Sequence, residues 1–125
     1  MHPTRLQATL AQFSGSSTFT RHGLARSVLM TEGVVFLAQH AQAHWLTDAI
    51  ASYLHDARAK REEFQVWQLA VDGSTRRAVL SMTDGNSTKP IITQAIDHTD
   101  FPLDEITLWL VASGNHRVLM LPSEY

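Results

Sequence analysis

The hydrophobic pattern of this chain changes period once, near Glu63, and that change limits the fold more than any other feature. No proline or glycine occurs from Val34 to Val71, and up to Arg61 the apolar residues recur at helical spacing. Val34, Leu37, Ala38 and Ala41 share one face, while Trp45, Leu46, Ala49, Ile50, Tyr53 and Ala57 share another. At ~100° per residue the apolar direction swings by about a quarter turn between these sets, too wide an arc for one straight helix. The spacing predicts two helices, or a kinked one, breaking near residues 41–43, with Thr31 as N-cap. Arg58, Lys60 and Arg61 fall at the far end, where cations suit the helix dipole.

After Glu63 the apolar runs shorten to strand length. Residues 64–71 and 78–82 flank the turn signal Asp72-Gly73-Ser74, and Asp84-Gly85-Asn86 turns the chain into 91–96, with Pro90 at the start. Residues 106–112 and 118–121 flank Gly114-Asn115 and read as a closing hairpin. Upstream, Leu6, Leu10 and Phe13 predict a short helix within 2–13, residues 14–18 break it, and 19–30 fit no period. Helices first and hairpins after predict one α+β domain over residues 1–125, with N-terminal helices packed on one face of a roughly five-stranded antiparallel sheet ending in a C-terminal hairpin. Trp67, Leu69 and Val71 would lie on one side of the first strand, and Phe64 and Val66 on the other. Two apolar faces suggest a second packed layer or a homodimer interface.

Composition narrows the class. A chain of 125 residues is expected to bury roughly two-thirds of its unfolded surface, enough for an independent core. A 44% hydrophobic and 18% charged composition is that of an ordinary globular protein. Net charge of -2 makes nucleic acid an unlikely partner, leaving only a weaker option through Arg58, Lys60, Arg61, Arg76 and Arg77. The absence of cysteine excludes disulfides and thiolate sites. The N-terminus leads into no long apolar stretch, and no run approaches the ~18–20 residues needed to cross a bilayer. The expected location is the cytoplasm, with no membrane partner.

Three clusters carry candidate chemistry. On a continuous helix His40, His44, Asp48 and His55 would fall within about 80° of one another, and His-x-x-x-His sets two imidazoles on adjacent turns. His40 and His55 would lie ~22 Å apart along such a helix, so one ion cannot take all four. His40 and His44 are the metal candidates, against the plainer reading of a solvated stripe, and no cofactor is otherwise implied. Asp97, His98, Asp100, Asp104 and Glu105 group around a turn, where carboxylates can hold divalent cations or act as acid and base. The plainer reading makes Asp100 the cap of a helical turn at Phe101-Pro102.

Arg21-His22 sits in the least regular segment, and a guanidinium beside an imidazole on a loop suits anion binding or proton transfer. Against this stands an Arg21 paired with a carboxylate and a His22 satisfied by backbone. Arg21, His22 and Asp48 are the catalytic candidates, and Asp100, Asp104, Glu105, Trp45 and Tyr125 the binding candidates. Ser14, Ser16, Ser17 and Ser27 lack the Gly-x-Ser-x-Gly context of a hydrolase nucleophile, and no phosphate-binding glycine motif occurs. Pro122 stops the last strand, and the Tyr125 ring is expected to fold back onto the sheet.

Several segments together resemble a known family. They are Phe13-Ser14-Gly15-Ser16, Arg21-His22-x-Leu24, Thr31-Glu32-Gly33-Val34, Trp45-Leu46-x-Asp48-Ala49-Ile50-Ala51-Ser52, Glu63-Phe64-Gln65-Val66-Trp67, Asp84-Gly85-Asn86 and residues 99–109 and 118–125. The chain resembles a family of small uncharacterised bacterial proteins, a domain of unknown function often met on plasmids, phages and other mobile elements. Two departures stand out: Gln42 where the family tends to have a glycine between helices, and Thr20 where it tends to have an aromatic. The resemblance implies an accessory role on mobile DNA and assigns no substrate, cofactor or active site.

The leading expectation is a non-enzymatic protein-binding module that forms a homo-oligomer. The alternative is a small hydrolase or nuclease-like enzyme using Arg21, His22 and Asp48 with the Asp100/Asp104 loop nearby. That alternative requires these side chains to converge in one pocket.

Overall fold

The computed structural model describes residues 2–15 and 17–125. Met1 and Ser16, the latter inside the break expected at 14–18, lie outside the described residues. Helix α1 (Pro3–Leu10) leads to two short strands, β1 (Thr20–Arg21) and β2 (Val28–Met30), and then to α2 (Glu32–His40), α3 (His44–Ala51) and α4 (Ala57–Lys60). Strands β3 (Phe64–Val71), β4 (Ala78–Thr83), β5 (Ile92–Ile96), β6 (Glu105–Ser113) and β7 (His116–Met120) follow, and a 3-10 turn covers Pro122–Glu124.

The helix break falls where the swing in apolar direction places it. Thr31 caps α2 by accepting from Val34 N–H, and the chain leaves α2 through Gln42 in the left-handed region, φ 51°. That conformation is natural for glycine and strained for glutamine. The second helix does not run on to Arg61 as the spacing suggested. It stops at Ala51, where Ser52 N–H bonds back to Asp48 O, and Asp56 caps the separate turn α4 by accepting from Arg58 N–H. The Arg58 guanidinium beside Asp56 holds that carboxyl down at about 2.

The described residues contribute seven strands to one sheet, ordered β1-β2-β7-β6-β3-β4-β5, rather than the five expected. The sheet is also mixed, not purely antiparallel, because β2 pairs parallel with β7, with Leu29 opposite Val118. β1 and β2 were invisible in the sequence because two and three residues are too few to show alternation. The five later strands, β3 to β7, lie close to their expected bounds, and Gly114, φ 59°, makes the β6–β7 turn.

Alternation along the strands separates two faces. Trp67, Leu69, Leu80, Met82, Ile92, Leu108, Leu110 and Leu119 occupy inward positions and join Leu6, Leu10, Val34, Leu37, Leu46 and Ile50 in one buried cluster. By register, Phe64, Val66, Trp109, Val111 and Val118 share the opposite face and are half-buried. The Tyr125 ring folds back there, edge-on to Trp109 and Phe64 at 5.4 and 5.9 Å.

The two ends of the buried layer meet at Glu124. Its Oε1 accepts from the Thr31 hydroxyl at 2.6 Å and from Leu121 N–H at 3.0 Å, and its Oε2 accepts from Gly33 N–H at 3.1 Å. A Cβ on Gly33 would lie 2.6 Å from both Glu124 Oε1 and Leu121 Cδ1. Glycine is required here by close approach, not by φ. The parallel pairing creates this meeting, since β2 runs directly into Thr31 and β7 directly into Leu121.

Two outcomes follow from these contacts. Gly33→Ala is expected to destabilise by about 1–3 kcal/mol despite alanine's better helix propensity, because a backbone-attached methyl cannot avoid the carboxylate. Gln42→Gly is expected to stabilise by about 0.5–1 kcal/mol, since relief of left-handed strain exceeds the added chain entropy. Urea midpoints at constant slope read both effects.

Candidate functional site

The segment that fits no period is a tightly bonded hairpin loop between β1 and β2. His22 N–H bonds to Val28 O and Val28 N–H to Ala25 O, both at 2.9 Å. Arg21 extends its guanidinium to Arg26 O at 2.9 Å across the loop, and no ion pair of Arg21 with a carboxylate occurs among the described residues. The His22 side chain is 5% exposed. Its Nδ1 accepts from Leu24 N–H at 3.1 Å and Ala25 N–H at 3.0 Å, so its proton sits on Nε2, which donates to Asp48 Oδ1 at 2.8 Å.

Both ring nitrogens of His22 are therefore engaged. A general base needs a free nitrogen within reach of a substrate proton. Here Nδ1 is spent on the loop backbone, and Asp48, on α3 with its side chain 57% exposed, anchors the ring from outside. The imidazole is the internal strut of the loop. What the loop displays is Leu24, 88% exposed, at the rim of a shallow cleft of about 280 Å³ that it shares with His22, Ala25, Asp48, Leu54 and His55.

The remaining candidates lie on separate surfaces. His40 and His44 fall on different helices across the Gln42 break, and the His40 ring stacks on Phe36 with centroids 4.0 Å apart. His55 lies in the turn between α3 and α4, so the four-residue stripe expected of one continuous helix does not form. Among the described residues no three His, Asp or Glu side chains lie close enough to hold a metal ion. Trp45 lines a cleft with Gln42, Ile96, His98, Asp100 and Phe101. Asp104 and Glu105 face α1 across another, beside Pro3, Thr4 and Gln7. Tyr125 sits on the outer sheet face, 75% exposed.

The acidic loop is organised by other residues than expected. No helical turn forms at Phe101-Pro102, and Asp100 caps nothing there. Thr99 Oγ1 accepts from Phe101 N–H, while Arg76, φ 60°, donates to Thr99 O and Phe101 O at 3.1 and 2.6 Å. The Phe101 and Leu103 side chains beside these bonds are buried in the core. Asp100 points outward and pairs with His98 at 3.2 Å. Of the five cations considered for nucleic acid, Arg76 is thus spent on carbonyls and Arg58 on Asp56.

Sequence reasoning did not single out Leu24, Gly33 or Glu124 as individual residues. The only signal was their place in the segments Arg21-His22-x-Leu24, Thr31-Glu32-Gly33 and 118–125. The structure explains two of those segments as halves of one contact, since Thr31 and Gly33 both bond Glu124.

A structural role for His22 gives a clear stability pattern. His22→Ala removes the acceptor of two backbone N–H groups and is expected to cost about 2–3 kcal/mol. Asp48→Ala, which removes an exposed partner, is expected to cost only about 0.5–1 kcal/mol. Denaturant unfolding of the two variants distinguishes them.

The chain belongs to a family of unknown function, DUF6876, whose model matches residues 4–125. It is similar in fold to the crystal structure of a protein of unknown function from Enterococcus faecalis, with 19% sequence identity and a TM-score of 0.54 over 86% of this chain and 98% of that one. No curated protein matches the chain.

Proposed function

We propose that this member of a family of unknown function is a non-enzymatic protein-binding module, and that the β1–β2 loop is its docking element. The observation that carries the reading is the construction of that loop. The Arg21 guanidinium closes the loop on Arg26 O and the buried His22 ring bonds Leu24 N–H, Ala25 N–H and Asp48, while the apolar Leu24 is held out to solvent. A rigid loop loses little conformational freedom on binding, so an apolar anchor displayed this way binds with less entropic cost than one on a loose segment. The loop leaves the β1 edge and rests on α3 through the His22–Asp48 bond, with Ala25 against the core and Leu24 free of it.

The enzyme alternative draws support from the approach of His22 to Asp48 alone. Arg21 turns away to Arg26 O, and the Asp100/Asp104 loop lines other clefts, so the side chains that reading needs do not share a pocket. The accessory role on mobile DNA implied by the resemblance fits a chain that works by binding. The reading places the module in the cytoplasm without a cofactor. The one related structural fact is that no described helix is long and apolar enough to cross a membrane.

Leu24→Asp tests the proposal, because a side chain this exposed can change without disturbing the core. A wild-type chain immobilised in native-host lysate is expected to retain a protein that the Leu24→Asp chain releases, with equal melting temperatures for the two. Equal retention by both, or none by either, would reject the docking role of the loop.

A further inference from the structure

We infer that two copies of this chain join edge to edge through β5, across a two-fold axis, into one continuous sheet. The inference stands apart from the loop reading, since it uses the opposite edge of the sheet.

The two edges differ in character. β1 has two residues, one of them Arg21, whereas β5 has five, Ile92–Ile96, without a charge or a proline. An edge strand presents unpaired N–H and C=O groups, and proteins blunt such edges with charges, prolines or a covering segment. Pro90 precedes β5 without interrupting it, and among the described residues no further strand lies beyond it. Thr93 and Ala95 on its outer side are small and exposed. On its inner side Trp45, Tyr53, Ile91 and Ile96 are only partly buried, and Tyr53 Oη donates to the Gln94 side chain at 2.7 Å. The edge therefore combines open backbone with incompletely covered apolar side chains.

The charges at its ends select the occupant. Lys89 precedes the strand, and Asp97 and Asp100 follow it. Antiparallel pairing with Gln94 opposite its own copy sets Ile92 opposite the partner's Ile96 and Thr93 opposite the partner's Ala95. Each Lys89 then falls at the end that carries the partner's Asp97 and Asp100. A two-fold axis applied to this sequence thus yields opposite charges at both ends of an uncharged seam, as an isologous interface requires. A parallel arrangement would set like charges together.

Light scattering over a dilution series reads the outcome. The wild-type chain is expected to dimerise. Ala95→Lys, which sets positive charges along the seam, is expected to give a monomer with an unchanged melting temperature, as is Thr93→Lys. Lys89→Glu is expected to weaken the dimer about tenfold, with recovery when Asp97→Lys is added. Because the chain has no cysteine, Gln94→Cys is expected to yield a single covalent dimer on mild oxidation. A wild-type chain that stays monomeric, a dimer that both lysine variants leave intact, or a monomer that accepts only a foreign strand peptide on β5 overturns the inference. Leu24→Asp is expected to leave the dimer in place, so failure here and failure of the loop reading are separable.

Discussion

The Glu124 carboxylate accepts from the Thr31 hydroxyl and from the N–H groups of Gly33 and Leu121, and so ties the last turn of the chain to the first turn of α2. A buried carboxylate is costly to desolvate unless donors surround it. Here the Thr31, Gly33 and Leu121 donors and the positive end of the α2 dipole do so. The contact depends on the parallel pairing of β2 with β7, which brings the exits of both strands to the same end of the sheet. It in turn sets where α2 begins, and α2 supplies Val34 and Leu37 to the core. Gly33 is the steric condition for the whole arrangement.

The same economy appears where the chain is irregular. Gln65, buried in β3, donates to Ala59 O and Glu62 O and accepts from the Trp67 indole, joining α4 to the sheet. Arg117 on β7 donates to Lys60 O and Glu62 O. Arg76 holds the 99–101 loop and His22 the 22–25 loop. Each of these side chains bonds backbone groups at a helix end or in a loop, where the regular ladders leave groups to be satisfied. Arg21, His22 and Arg76, which stand out in the sequence as possible anion-binding or catalytic groups, each bond backbone groups of these loops. Leu24, which carries no chemistry, is what the scaffold displays.

The legible parts of the fold were those with a long enough period. The helical faces around 34–57 revealed the break at 41–43 even though Gln42 is a poor residue for it, because the swing in apolar direction reflects many side chains and the cap only one. The hairpins around Asp72, Asp84 and Gly114 were visible because turn residues interrupt strand-length runs. β1 and β2 were not visible, since β2 rests on pairing with β7, some ninety residues away in sequence, and β1 rests on pairing with β2. The end of α3 was missed for a related reason: nothing in the apolar pattern marks Ser52 or Asp56 as capping residues until the chain is seen to turn there.

By itself the sequence determined the class of the fold, the helix break, the central hairpins and the neighbourhood in which unusual residues gather. These are local properties, set by the period of apolar residues and the dihedral limits of turns. Only the tertiary structure decided that the described residues form a mixed, seven-stranded sheet, that Glu124 caps α2, and that both His22 nitrogens are engaged. Those outcomes depend on which distant groups meet. A carboxylate or an imidazole has the same formula whether it caps a helix, braces a loop or moves a proton, and its partners in space alone assign it one of these roles.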